Sequence, residues 1–272
     1  MATIAEKPTF LNSLVNELND CYRYRYVCYS YVQTNLRLRY RRSFLGFLWT
    51  LITPLASYAI MGFIFSYSMK IQVPNFLVYF FTGAVFFNFL SVGLGRAPLA
   101  MLENENYMRK LYVPKLNFVL NGIFLETVNF ILGALALLVL GVVCQKLSFH
   151  WSMLYLPVPI LVTIITLIGA TAFLSVMTVF YRDIKHVVPL LMQSIFFLTP
   201  VFYTINQIPE RYRWIVKLNP LYHLVESFRI PVVDGVLPPL EHFVYSMSFA
   251  IALLAVGIYT LKKYDNKVVF KL

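Results

Sequence analysis

The chain has 272 residues, of which 59% are hydrophobic and only 13% charged, and it carries a formal net charge of +11. A mean hydropathy of +0.69 lies outside the range of water-soluble globular domains and excludes that class. The positive surplus would suit nucleic acid, but most of it flanks apolar runs, so membrane topology and anionic lipid headgroups account for it and no nucleic-acid partner is expected.

Residues 1–43 read as a cytosolic arm. They contain no uninterrupted apolar run beside a small-residue cleavage pattern, so no signal peptide is expected ahead of the first span. Leu11, Leu14, Val15, Leu18 and Tyr22 recur at helical spacing among Asn, Glu and Asp, which predicts an amphipathic interface helix. The pattern continues into CYRYRYVCYSY, whose tyrosines and arginines suit headgroup level. The arm ends in RYRRSFLGFLWTLITPL, where dense positive charge abuts a run that is charge-free until Lys70.

A hydrocarbon core roughly 30 Å thick takes about 20 apolar residues of helix. Six stretches qualify, at about 44–69, 76–95, 116–143, 154–180, 187–203 and 243–261. They are apolar on every face rather than alternating, so helices are expected rather than barrel strands. The fold class is therefore all-α integral membrane, with a six-helix transmembrane domain over 44–261 and a basic cytosolic tail over 262–272. An even number of spans leaves both termini on one side. If that side is the cytosol, seventeen of the twenty-three basic residues lie inside, which gives an N-in, C-in topology. Arg211, Arg213, Lys217 and Arg229 run against the rule, all between the last two spans.

Between the second and third spans, RAPLAMLENENYMRKLYVPK mixes apolar and charged positions over residues 96–115. It predicts either a short cytosolic helix ending before Pro114 or a solvated loop. Glu126 is the one clear ionisable residue well inside a span. A charge at mid-bilayer costs roughly 2.5 to 3.5 kcal/mol, so Glu126 is expected to be protonated, paired or beside a polar cavity. A hydrogen bond between helices, with a group such as Asn129 or Thr127, competes with a substrate role.

Thr199-Pro200 should kink the fifth span near its outer end. Beyond it, Pro209 to Leu218 and Leu221 to Arg229 are amphipathic pieces split by Asn219-Pro220. Each is too short to cross the bilayer and too apolar to float free, so two short helices should re-enter the outer leaflet or lie along it. The 24 Phe and 19 Tyr concentrate in VYFFTGAVFFNFL and FFLTPVFYT. Such rings serve as interface belts or as faces over which sugar rings slide.

Catalytic signatures are absent. The sequence holds no G-x-x-x-x-G-K-[ST], G-x-S-x-G or H-E-x-x-H, and His150, His186, His223 and His242 lack ligand spacing. No ATP hydrolysis, catalytic residue or metal is expected on this chain. Cys21, Cys28 and Cys144 form an odd set with two members on the cytosolic side, so no disulfide framework is expected. A membrane-embedded enzyme would need convergent acids or bases, yet Glu210, Glu226, Asp234 and Glu241 lie outside the spans. An ion-coupled carrier would show intramembrane charges and repeats.

Four blocks, RLRYRRSFLGFLWTLITPL, RKLYVPK, FYRDIKHVVPLLMQSIFFLTPVFY and LNPLYHLVESFR, follow in this order from about Gln33 to the last span. Together they resemble the ABC-2 type permeases that export polysaccharides, the membrane subunits of O-antigen, teichoic acid and capsule transporters. The resemblance implies a homodimer paired with two separate ATPase subunits, which would hold ATP and Mg, leaving no cofactor on this chain. It implies an interface helix at residues 10–38, a coupling helix at 97–113 and an outer gate of two re-entrant helices at 207–231. Glu103, Glu105, Arg109 and Lys110 then fall on the coupling helix, and Tyr203, Arg211, Trp214 and Tyr222 at the gate. Arg41, Arg42, Ser43, Gly46 and Trp49 match the entrance motif. Arg37, Arg39, Arg41 and Arg42, with Trp49, are expected to draw in the pyrophosphate of a lipid-linked polymer, since guanidinium suits bidentate phosphate contacts; topology fixing is the plainer alternative. Phe197, Pro200, Phe202 and Glu126 are channel or hinge candidates. The expected function is export of an O-antigen-like, lipid-linked polysaccharide across the bacterial inner membrane. Teichoic acid, capsule, lipid or drug are alternative cargoes, and a membrane-embedded lipid-processing enzyme is a further alternative.

Overall fold

The computed structural model describes residues 19, 21–39, 48–49, 52–53, 56–57, 59–60, 63–64, 76–110, 113–143 and 149–271. Among the described residues all regular structure is helical. In chain order the helices are α1 (Arg25–Arg39), α2 (Phe76–Arg96), α3 (Glu105–Lys110), α4 (Lys115–Val143), α5 (Pro157–Phe180), α6 (Ile184–Leu198), α7 (Glu210–Lys217), α8 (Pro220–Val233), α9 (Leu240–Lys263) and α10 (Asp265–Lys271), with short 3-10 turns between some of them. Four of these helices, α2, α4, α5 and α9, are long and apolar enough to cross a membrane. They correspond to the second, third, fourth and sixth expected spans. Most of the first expected span lies outside the described residues, as do Arg41, Arg42, Ser43 and Gly46 and most of the apolar positions of the arm.

The fifth expected span departs from its sequence bounds. Instead of running over 187–203, α6 starts at Ile184 and stops at Leu198 after 15 residues, about 22 Å of helix rise. Thr199 takes extended backbone (φ −88, ψ 130), the conformation imposed on a residue that precedes proline. The helix therefore ends at Thr199-Pro200, where the sequence suggests a kink. The segment after α2 is also more broken than one coupling helix: 3-10 turns at Ala97–Leu99 and Leu102–Asn104 precede the six-residue α3.

Helix α2 is the centre of the bundle. Phe80, Phe86, Phe87 and Leu90 are each no more than 2% exposed. Phe86 stacks on Phe228 of α8 at 4.6 Å and meets Phe130 of α4 edge-on at 5.7 Å, while Phe89 stacks on Phe130 at 4.7 Å. Offset and edge-on ring pairs of this kind add to simple area burial. The phenylalanines of the second span thus fill the interior of the subunit.

The most extensive helix pair is α5 with α9. A side chain on Gly169 would collide with the backbone at Leu253 and Leu254, and one on Gly257 would collide with the Gly169 carbonyl. The two backbones touch because both positions lack a Cβ, the close approach that small residues allow between membrane helices.

Helix α1 packs along the start of α4, where the Cys28 thiol reaches the Asn117 carbonyl at 4.0 Å. Lys115 at the head of α4 pairs with Asp265, and Lys271 of α10 lies over the Phe180 ring at the foot of α5. Helix α1, the start of α4 and α10 therefore share one end of the bundle. Helices α7 and α8 lie at the other end.

Candidate functional site

The opposite end of the bundle is built around the break in α6. Asn219 caps α8 by accepting from the Leu221 amide at 3.0 Å, with Pro220 at the first helical position, and its side-chain amide donates to Thr199 Oγ1 at 2.9 Å. Asn and Pro at these positions suit a helix start, and the same Asn ties α8 to the end of α6. Helix α8 is then buried on nearly every face.

Arg229, on the last turns of α8, is 1% exposed. Its guanidinium donates to Glu226 Oε1 at 2.5 Å, to the Tyr79 hydroxyl at 2.7 Å and to the Pro200 carbonyl at 2.8 Å. It also lies 4.0 Å from the centroid of the Tyr79 ring, and Tyr79 donates onward to the Tyr203 carbonyl at 3.0 Å. Gly83 of α2 makes the space, since a Cβ there would strike the guanidinium. A buried charge is tolerated only when paired and hydrogen-bonded, and Glu226 one turn earlier supplies the pair. Arg229 is an interior cation, and the sequence signal for it was the Glu226-x-x-Arg229 spacing within an apolar helix.

The expected gate residues do not form one cluster. Tyr203 donates to the Phe197 and Leu198 carbonyls at 3.1 Å each, closing the free end of α6. Tyr222 is buried beside the His242 ring. Arg211 and Trp214 are exposed on α7, with Arg211 stacked over Tyr212 at 4.5 Å. Among the channel and hinge candidates, Phe197 is exposed and Phe202 half-buried, their ring centroids 6.1 Å apart, and Pro200 is buried. Phe196 carries this aromatic group onto Phe87 of α2 at 5.2 Å.

Two histidines that sequence spacing left unconnected meet here. His223 Nδ1 and His242 Nδ1 are 2.9 Å apart, and His223 Nε2 is 2.7 Å from the Lys217 carbonyl. A carbonyl only accepts, so His223 carries its proton on Nε2 and His242 donates from Nδ1. The Tyr245 ring stacks on His223 at 4.6 Å, and burial pushes the His223 imidazole below its ordinary value of 6.5.

At the end of the bundle that holds α10, Arg96 closes α2. Its Nη1 lies 3.3 Å from Glu126 Oε1 and its Nη2 lies 3.7 Å from Glu103 Oε2. Asn129 donates to the other Glu126 oxygen at 3.0 Å from within α4, whereas Thr127 turns to its own helix and donates to the Ile123 carbonyl at 2.7 Å. Glu126 is thus a paired carboxylate, and its partner from another helix is Arg96. Glu105 and Arg109 pair along α3 at 2.8 Å, Lys110 is exposed at its end, and α3 buries no side chain. Tyr31 of α1 faces the same cluster, where burial first and then the Glu103 carboxylate push its hydroxyl above the ordinary value. Arg37 is exposed near the end of α1, Arg39 is its last residue, and Trp49 is exposed. Among the described residues no group of three or more His, Cys, Asp or Glu gathers to hold a metal ion.

Residues 26–232 match the ABC-2 type transporter family. The chain is 28% identical over 243 residues to the O-antigen export system permease protein RfbA of Myxococcus xanthus, covering 89% of this chain and 93% of that protein. It is 26% identical over 234 residues to a protein of the same name from Klebsiella pneumoniae, covering 85% of this chain and 89% of the other. Against the polysialic acid transport protein KpsM of Escherichia coli it is 24% identical over 226 residues, 82% of this chain and 87% of the other. Two of these relatives are named as permeases and the third as a transport protein.

Proposed function

Because this chain belongs to the ABC-2 type transporter family, we propose that it is the membrane-spanning permease subunit of an ATP-driven exporter of lipid-linked, O-antigen-like polysaccharide. It works as a homodimer in the bacterial inner membrane, with two copies of a separate ATPase that hold ATP and Mg. The observation that carries this reading is the similarity to O-antigen export permeases along nearly the full length of both chains. The similarity to a polysialic acid transport protein supports polysaccharide as the class of cargo.

The geometry supports a division of labour between the two ends. Helix α3 offers Glu105, Arg109 and Lys110 to the cytosol with nothing of its own buried, which suits docking on the ATPase. The basic end of the arm, with Arg37, Arg39, Arg41, Arg42 and Trp49 close in sequence, receives the anionic pyrophosphate at the entrance, because planar guanidinium groups match phosphate oxygens in pairs. ATP-driven closure of the partner subunits pushes on residues 97–113 and moves the first and fifth spans, the fifth hinging at Pro200. Such a push does work only if the nucleotide states engage the segment differently. Sugar then advances past Phe197, Phe202 and Tyr203 toward the gate helices α7 and α8.

The test is co-purification through a tag placed after Leu272, followed by ATPase assays with lipid-linked glycan. A stoichiometric ATP-hydrolysing partner whose activity rises with glycan is the expected result. A chain that purifies alone under gentle detergent conditions, or a partner that ignores glycan, would overturn the reading.

A further inference from the structure

On the function proposed above, movement of the ATPase enters this chain through residues 97–113 and has to reach the spanning helices. Arg96 stands at the junction. It ends α2, and the Ala97-Pro98 turn that follows it is buried. One face of its guanidinium addresses Glu103 in the coupling segment, and the other addresses Glu126 in α4. The two carboxylates differ in setting: the Glu103 side chain is 47% exposed and that of Glu126 is 9% exposed. Glu126 lies eleven residues into α4, about 16 Å along the helix, so a half-exposed Arg96 reaches a buried carboxylate well inside that helix.

The distances matter as much as the partners. A charge-assisted contact between guanidinium and carboxylate closes to about 2.7 to 2.9 Å. Arg96 donates a long hydrogen bond to Glu126 Oε1 at 3.3 Å and stands 3.7 Å from Glu103 Oε2, so it is bonded to the first with the second within reach of a small movement. A displacement of under about 1 Å toward Glu103 tightens that pair and loosens the Glu126 pair, since the two partners lie on different nitrogens of one planar group. Glu126 would not be stranded by such a move. Asn129 already donates to its second oxygen, and Thr171 of α5 lines the same pocket with a buried hydroxyl that has no partner among the described residues.

We propose that Arg96 is a positioning residue that relays displacement of the coupling segment into α4 by shifting its guanidinium between Glu126 and Glu103. The relay is a two-state element that both the ATPase end and the bundle interior bias, which is what physical coupling between separated sites requires.

The test uses the assembled complex of this chain with its ATPase in vesicles and reads glycan moved per ATP hydrolysed, with thermal stability measured alongside. Arg96→Gln and Glu103→Gln should each lower that ratio about fivefold, within the range for residues that couple distant sites. The double variant should be no worse than Arg96→Gln alone, because both substitutions break one relay. Arg96→Lys should recover part of the ratio, keeping the charge while losing the fork. Glu103 is exposed, so its variant decides the matter if Arg96→Gln does not insert. A ratio equal to that of the unsubstituted chain in Glu103→Gln overturns the relay, and so does an Arg96→Gln that loses stability and transport together at constant ratio. If the unsubstituted chain recruits no ATPase or moves no glycan, the proposed function itself fails and the relay falls with it.

Discussion

Arg229 donates to the carbonyl of Pro200 at 2.8 Å, so the segment just beyond α6 is held by a cation projecting from a different helix. Proline cannot donate, and carbonyls at a helix break lose their intrahelical partners. Supplying a buried donor converts that break into a defined joint between α6, α2 and α8. The same guanidinium engages Tyr79 and Glu226, so movement of the joint must rearrange all three contacts.

Replacing Arg229 with Met should leave Glu226 buried without its cation, a loss of about 3 to 5 kcal/mol. A marked drop in melting temperature of the purified protein is expected, together with loss of export. Replacing both residues by apolar ones, Arg229→Met with Glu226→Leu, should restore much of the stability, because an apolar pair avoids the stranded charge. Export should remain low, since Pro200 is still untethered. Full export by the double variant would show that the tether is dispensable.

Gly83→Ala tests the same joint from α2. The added methyl strikes the guanidinium, and overpacking of a tight interior costs about 1 to 3 kcal/mol. The two changes should not add: in the Arg229→Met background the methyl meets a different, flexible side chain, so Gly83→Ala should cost little there. A double-mutant cycle on melting temperatures measures this directly. Additive losses would mean that the methyl disturbs some other contact.

Helices α2, α4, α5 and α9 were legible because long apolar runs leave few alternatives in a bilayer. Thr199-Pro200 was legible as a disruption, but the sequence could not separate a kink from a full break. That choice depends on Asn219 and Arg229, which reach the site from twenty and twenty-nine residues away. Arg229 was counted with the basic residues between the last two spans, and a count by segment carries no information on burial. Glu126 was rightly singled out as needing a partner, yet Arg96 looked like an ordinary positive flank. The His223–His242 contact was invisible for a similar reason: the two lie nineteen residues apart on different helices, and no local spacing connects them.

The crossing of α5 and α9 predicts a steric sensitivity that hydropathy alone would miss. Gly257→Leu leaves α9 more apolar, but its side chain has to enter the space of the Gly169 carbonyl. The helices must separate, forfeiting close contacts along the most extensive pair in the bundle. A stability loss of about 1 to 3 kcal/mol is expected, or more if the register shifts. Thermal melting in detergent would check it, with Gly95→Leu as the comparison, because nothing lies within 4 Å of a Cβ at that position. Equal behaviour of the two variants would refute the backbone contact.

The histidine pair predicts how stability depends on pH. Burial holds the His223 imidazole below its ordinary value of 6.5, so the folded protein refuses a proton that the unfolded chain accepts. Between the folded and unfolded values the unfolded state binds more protons, and stability therefore falls as pH drops below about 6.5. Above that value both states are neutral and the contribution is complete. The groups facing His223 do not all act alike: its Nδ1 accepts from His242, which disfavours a proton there, while the Lys217 carbonyl that accepts from Nε2 and the Tyr245 ring stacked on the imidazole favour the charged form. Protonation at Nδ1 would set two donors against each other. The Lys217 ammonium opposes the charge and Glu241 favours it, but burial is the larger influence. Lowering the pH from about 7.5 to about 5.5 should reduce the melting temperature, and His223→Gln, which can still donate to the Lys217 carbonyl, should lose less over the same range. An identical pH dependence in the variant would place the acid sensitivity elsewhere in the chain.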